Sequence, residues 1–100
     1  MKELLVSCAM KNLPPLKARM EFVEGEKEIV PGVHTIPAPG HTPGHVALVI
    51  SSGKGQLMHM SDTVLHPMHL EHPAWRTVFD LEQDDAASTR RRLLDRAAAD

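Results

Sequence analysis

The residues best placed to do chemistry lie in Pro39-Gly40-His41-Thr42-Pro43-Gly44-His45 and in Asp62 further along. Two imidazoles and a carboxylate make a mixed nitrogen and oxygen donor set, the kind that a divalent metal takes. Gly40 and Gly44 permit positive φ and close backbone approach, and Pro39 and Pro43 lower the entropy cost of holding the loop in one shape. The competing reading is a pair of loop histidines that only make hydrogen bonds. The stiffened loop and the strand that follows it favour the metal. His41 is the better ligand of the two, and His45 suits a hydrogen bond that braces the loop.

The elements that must position these groups follow from the flanking sequence. Val46 to Ile50 is a β-branched and aliphatic run, the pattern of a strand buried on both faces. Ser51-Ser52-Gly53-Lys54-Gly55 is a turn, and Gln56 to Ser61 is the returning strand. In an antiparallel pair the start of one strand and the end of the next share a sheet edge. That brings His41 and Asp62 together. Upstream, Met20 to Val23, Glu28 to Val30 and Val33 to Pro37 read as short strands, with Pro31-Gly32 as a turn.

A helix at each end completes the chain. The first, from Met1 to about Asn12, places Leu4, Leu5, Cys8 and Ala9 on one side, which predicts packing for Cys8. Pro14 ends it. The second runs from Leu81 to Ala99, with Arg90 as an exception on its apolar arc. Between Thr63 and Asp80 the composition is that of a loop. There His66, His69 and His72 either line a substrate pocket or serve a proline-rich surface loop through hydrogen bonds. His34 is expected on an exposed strand face and His59 in the core.

The bulk properties bound the function. One hundred residues make one small domain at most. A net charge of −2 with both signs spread along the chain argues against a nucleic-acid partner and against a membrane surface. Three aromatic residues do not make a base-stacking platform. A single cysteine allows no internal disulfide, which suits a reducing, cytoplasmic compartment. The residues ahead of Leu5-Val6-Ser7-Cys8 are too short and too acidic for a secretory signal, and no apolar run approaches a membrane span.

His-Thr-Pro-Gly-His before a buried strand, then a hairpin ending in Ser61-Asp62, resembles the metallo-β-lactamase-fold hydrolases. Pro31-Gly32-Val33, His66-Pro67, Glu71-His72-Pro73-Ala74-Trp75 and the arginine-rich last helix extend the likeness to the branch with organophosphate hydrolases and lactonases. The resemblance implies an α/β fold, part of an αββα sandwich of mainly antiparallel strands with flanking helices. It implies metal-ligand roles for His41 and for Asp62, the latter bridging two metal ions, most often zinc. It also implies a small-molecule substrate, an ester, lactone or phosphoester-like compound attacked by a metal-activated water.

The family's His-x-His-x-Asp-His run and its last histidine ligand do not occur in this sequence, and Ser61 stands where the family usually has glycine. Residues 1–100 are therefore expected to form the middle and later part of such a domain, weakly active or inactive alone. The alternative is a truncated, non-catalytic paralogue acting as an interaction or scaffold element, which would self-associate through its exposed sheet.

Overall fold

A computed structural model describes residues 1–99. Its centre is an antiparallel sheet of four strands in the order β1-β2-β3-β4. The strands are β1 (Lys27–Val30), β2 (Val33–Pro37), β3 (Val46–Ser52) and β4 (Gly55–His59). Gly32, at φ +83°, turns β1 into β2 where a Cβ would press on the Ser51 carbonyl. Helix α1 (Lys2–Asn12) leads into a 3₁₀ segment (Pro14–Arg19). A 3₁₀ turn (Ser61–Thr63) and a short helix α2 (Met68–Glu71) follow the sheet. The long helix α3 (Gln83–Ala99) comes last, with Asp84 and Asp85 in its first turn and Arg96 in its last, the favourable sense for the helix dipole.

The core forms where α3 lies on one face of the sheet. Ile36, Ala38, Ala47 and Leu93 are fully enclosed, with Val49, Met58 and Met60 packed against them. The strand pairing explains the choice of residues. Ile36 pairs with Ala47, and His34, Val49 and Met58 lie in register across β2, β3 and β4. The other face carries Val46, Leu48 and Ile50 of β3 and Leu57 of β4, and Val46, Ile50 and Leu57 are exposed. So β3 is buried on one face, not on both as its composition predicts. An unbroken aliphatic run marks a strand that has two apolar faces, whether or not this chain covers both.

Several other expectations give way. Residues 20–23 form no strand, because nothing pairs with them and an isolated strand has no ladder to satisfy its backbone. Helix α1 forms, but none of its residues is buried. Cys8 is exposed and free, so it packs against nothing. His34 sits on the α3 side of the sheet, on the inner strand β2, where its Nε2 lies 3.1 Å from Glu28 Oε2. His59 points to the open face and is exposed, since alternation hands the helix side to Met58. The stretch 63–80 is not pure loop, as α2 interrupts it. Among the described residues no helix is long and apolar enough to cross a membrane.

Candidate metal centre

The loop 38–45 is pinned from two sides. Within the sheet, the Ala38 N–H donates to the His45 carbonyl at 2.8 Å and the His45 N–H donates to the Thr42 carbonyl at 3.2 Å. From α3 and the residues leading into it, Glu82 N–H donates to the Gly40 carbonyl at 2.9 Å and Leu81 N–H to the His41 carbonyl at 3.2 Å. The Thr89 hydroxyl donates to the Pro39 carbonyl at 2.7 Å, and Arg92 Nη2 donates to the Pro37 carbonyl at 2.7 Å. These bonds satisfy carbonyls that a tight loop leaves without partners.

This loop presents His41 to two carboxylates. Its Nε2 lies 3.4 Å from Asp62 Oδ2, and its Nδ1 lies 3.1 Å from Asp80 Oδ1. Asp80 is 1% exposed and Asp62 is 55% exposed, so the dry carboxylate holds the ring and the wet one faces outward. A carboxylate accepts, so the Nδ1–H of His41 donates to Asp80, and Nε2 is the nitrogen that faces Asp62.

His45 works on the backbone of the same site. Its Nδ1–H donates to the Ala38 carbonyl at 3.1 Å, and its Nε2 accepts from the Asp62 N–H at 3.2 Å. Both ring nitrogens are used and the tautomer is fixed. The ring ties the start of β3 to the turn after β4. The His41 and His45 rings meet edge to face, 5.8 Å between centroids. Ser61, just before Asp62, has φ +50°, the left-handed region that favours glycine. That is the physical reason for a glycine at such a position.

His41, His45 and Asp62 thus come together, and His66, His69 and His72 do not join them. His69 is buried, and its Nδ1 accepts the Leu65 N–H at 3.3 Å. His66 accepts the Met68 N–H at 3.2 Å and stays exposed. His72 stacks on Trp75, 4.1 Å between centroids and 7° from parallel. A groove of about 820 Å³ opens elsewhere, between the end of α3 and the sheet, lined by residues such as His34, Val49, Gln56, Met58 and Arg96.

Burial pushes the His69 pKa below 6.5, with Arg90 adding to the effect and Asp80 opposing it. The folded chain therefore takes up this proton less readily than the unfolded one. Its contribution to stability is complete above about pH 6.5 and is lost as pH falls through the lower folded value. The chain is expected to lose stability on acidification from about pH 8 to about pH 5, and His69→Gln, which keeps an acceptor for Leu65, to lose less. Denaturant melts of both proteins across that range check this; parallel curves would remove His69 from the account.

Two residues at the centre escaped the sequence reading. Asp80 lay in a stretch read as loop, and no local pattern ties it to His41. Arg90 carried the one available signal, a cation on an otherwise apolar helical arc.

The donor set can be tested against a metal on geometry. Two ligands bonded to one zinc at ~2.0–2.1 Å and at a tetrahedral angle stand about 3.3–3.4 Å apart. His41 Nε2 and Asp62 Oδ2 stand 3.4 Å apart. A lone pair and a carboxylate oxygen at that distance repel unless a proton or a cation lies between them. The pair fits a divalent cation in donor type and separation. It falls short in number, because a tight site takes at least three protein ligands. Among the described residues, no group of three or more His, Cys, Asp or Glu is placed to hold a metal.

The sheet of four antiparallel strands with flanking helices matches part of the metallo-β-lactamase fold. Over about half of its length the sequence is similar to N-acyl homoserine lactonases. It is 42% identical over 53 residues to an N-acyl homoserine lactonase of a Bacillus species and 39% identical over 57 residues to that of Bacillus cereus. It spans about a fifth of those relatives, 19% and 21% of their lengths. Among solved structures, AidC, a dizinc quorum-quenching lactonase in complex with a product, superposes with a TM-score of 0.79 at 28% identity. That match covers 91% of this chain and 31% of AidC. The AiiA protein of B. thuringiensis, with N-decanoyl-L-homoserine at its active site, matches with a TM-score of 0.70 at 28% identity, over 79% of this chain and 31% of that one. No family model matches the sequence.

Proposed function

We propose that this chain supplies the His41 and Asp62 side of a two-zinc centre in a hydrolase acting on a lactone or a related small ester or phosphoester. One observation carries the reading: His41 Nε2 and Asp62 Oδ2 stand 3.4 Å apart while buried Asp80 holds the other nitrogen of the ring. The lactonase relatives and the product-bound neighbours support a lactone as the substrate class.

A divalent cation at such a site supplies Lewis acidity at the scissile carbonyl or phosphoryl oxygen and acidifies water near neutral pH. The protein residues set the stage for it. His41 offers a ring nitrogen, Nε2, whose direction the Nδ1–Asp80 contact fixes. Asp62 offers an anionic group with two oxygens, as a bridge between two ions requires. His45 holds the Asp62 backbone against the start of β3.

The proposal treats residues 1–100 as the middle and later part of a metallo-β-lactamase-like domain and expects these residues alone to turn over substrate weakly or not at all. Two donors give weak, exchangeable metal binding. Zinc titration followed by metal analysis checks this: the chain should bind zinc detectably, and His41→Ala and Asp62→Ala should each weaken binding about tenfold or more. Zinc uptake unchanged in both variants would overturn the assignment.

The open sheet face, with Val46, Ile50 and Leu57 exposed, supports cover by further protein, the rest of a sandwich or another copy of this chain. Sizing chromatography that shows a monomer with no dye-accessible apolar surface would remove that reading. Lone, exposed Cys8 supports a reducing, cytoplasmic compartment.

A further inference from the structure

We propose that one enclosed water molecule is a fixed part of this fold, bridging Arg90 Nη2, Asp80 Oδ2 and Thr63 Oγ1 behind the His41 and Asp62 pair. Its bearing on metal binding rests on the function proposed above; the water site does not.

Among the described residues, three buried side-chain atoms have no hydrogen-bond partner in the protein: Thr63 Oγ1, Asp80 Oδ2 and Arg90 Nη2. They are not scattered. All three belong to buried residues that meet at one guanidinium. Arg90 Nε donates to the Thr63 carbonyl at 2.7 Å. Nη2 lies on the same edge of the planar fork, 3.6 Å from Asp80 Oδ2. An enclosed polar atom without a partner is costly, and native folds supply a partner from protein or from ordered water.

The protein cannot supply it by a small shift. Arg90 Nη1 donates to the Pro73 and Trp75 carbonyls at 2.8 Å and 2.9 Å, so three short bonds fix the plane of the fork. Asp80 is held as firmly. Its Oδ1 contacts His41 Nδ1 at 3.1 Å, and its N–H donates to the Thr77 carbonyl at 3.2 Å. Closing the 3.6 Å gap would strain these bonds and still leave the Thr63 hydroxyl alone.

Water fits all three atoms. Two hydrogen bonds of about 2.8–2.9 Å that meet at about 80° span a gap of that length. The molecule accepts from Nη2, donates to Oδ2 and pairs with a hydroxyl that can donate or accept. Three bonds are also what a buried water typically makes. Thr63 follows Asp62 in the 3₁₀ turn, and Asp80 contacts His41. The water therefore links the supports of both residues at the site.

The test is ¹⁷O relaxation dispersion of water in solutions of the metal-free full chain, with a crystal structure of the same protein to place the molecule. The unmutated chain should hold a slowly exchanging water, with density about 2.6–3.2 Å from Arg90 Nη2, Asp80 Oδ2 and Thr63 Oγ1. Thr63→Val, which keeps the shape and removes the hydroxyl, should lose that signal; Thr63→Ser should keep it. An unmutated chain without a slowly exchanging water overturns the proposal. So does an unchanged signal in folded Thr63→Val, or a crystal structure in which Arg90 Nη2 bonds Asp80 Oδ2 directly and no water touches them. Should Thr63→Val not fold, the density in the unmutated protein decides alone. A chain that holds the water and binds no zinc would sink the proposed function and leave the water site standing.

Discussion

Gly40→Ala is expected to destabilise the protein by about 3 kcal/mol or more, the upper range for overpacking. Gly40 has φ +140°, and a Cβ built there falls on the Cα and N of Ala86 at the start of α3. A side-chain tip could move aside, but a helical backbone cannot. The strained φ adds to the cost at any residue other than glycine. The damage would reach the site, because the same few residues carry the bonds from Glu82 and Leu81 to the Gly40 and His41 carbonyls. Urea denaturation of the variant checks this, and a loss under about 1 kcal/mol would show that α3 can dock further out.

Asp80→Ala is expected to cost about 3–5 kcal/mol, the range for removing one partner of a buried ion pair. The substitution leaves the Arg90 cation enclosed with only neutral carbonyls around it and removes the acceptor of His41 Nδ1. Burial already pushes the Arg90 pKa down and Asp80 is the group that opposes this, so its removal acts in the same direction as burial. Adding Arg90→Met to Asp80→Ala should recover part of the loss and not all of it. The buried charge is then gone, but the Thr63, Pro73 and Trp75 carbonyls lose their donor. Equal stability of the single and double variants would show that the charge pair is not what the fold depends on.

The sequence made the hairpin and the meeting of His41 with Asp62 legible because both are local. Glycine and proline mark the loop, aliphatic runs mark β3 and β4, and antiparallel geometry then places His41 against Asp62 without further information. The long helix was legible for the same reason, since helical periodicity spans only a few turns. Helix α1 was read correctly as a helix and wrongly as a packed one. Periodicity records which side chains share a face and says nothing about whether anything covers it. His59 and Met58 show the same limit in a strand. Alternation separates them, and only the position of α3 decides which one is inside.

By itself, then, the sequence determined the His41 and Asp62 pair, the turn between their strands and the family they resemble. All of these are fixed by residues near one another in the chain or by the geometry of one hairpin. The tertiary structure alone decided which sheet face is core, that His69 turns inward, and that Asp80 and Arg90 stand behind His41. His41 and Asp80 are 39 residues apart, and Arg90 reaches back 27 residues to Thr63. Contacts over such separations leave no periodic trace, because they depend on where a helix docks and not on how its residues repeat.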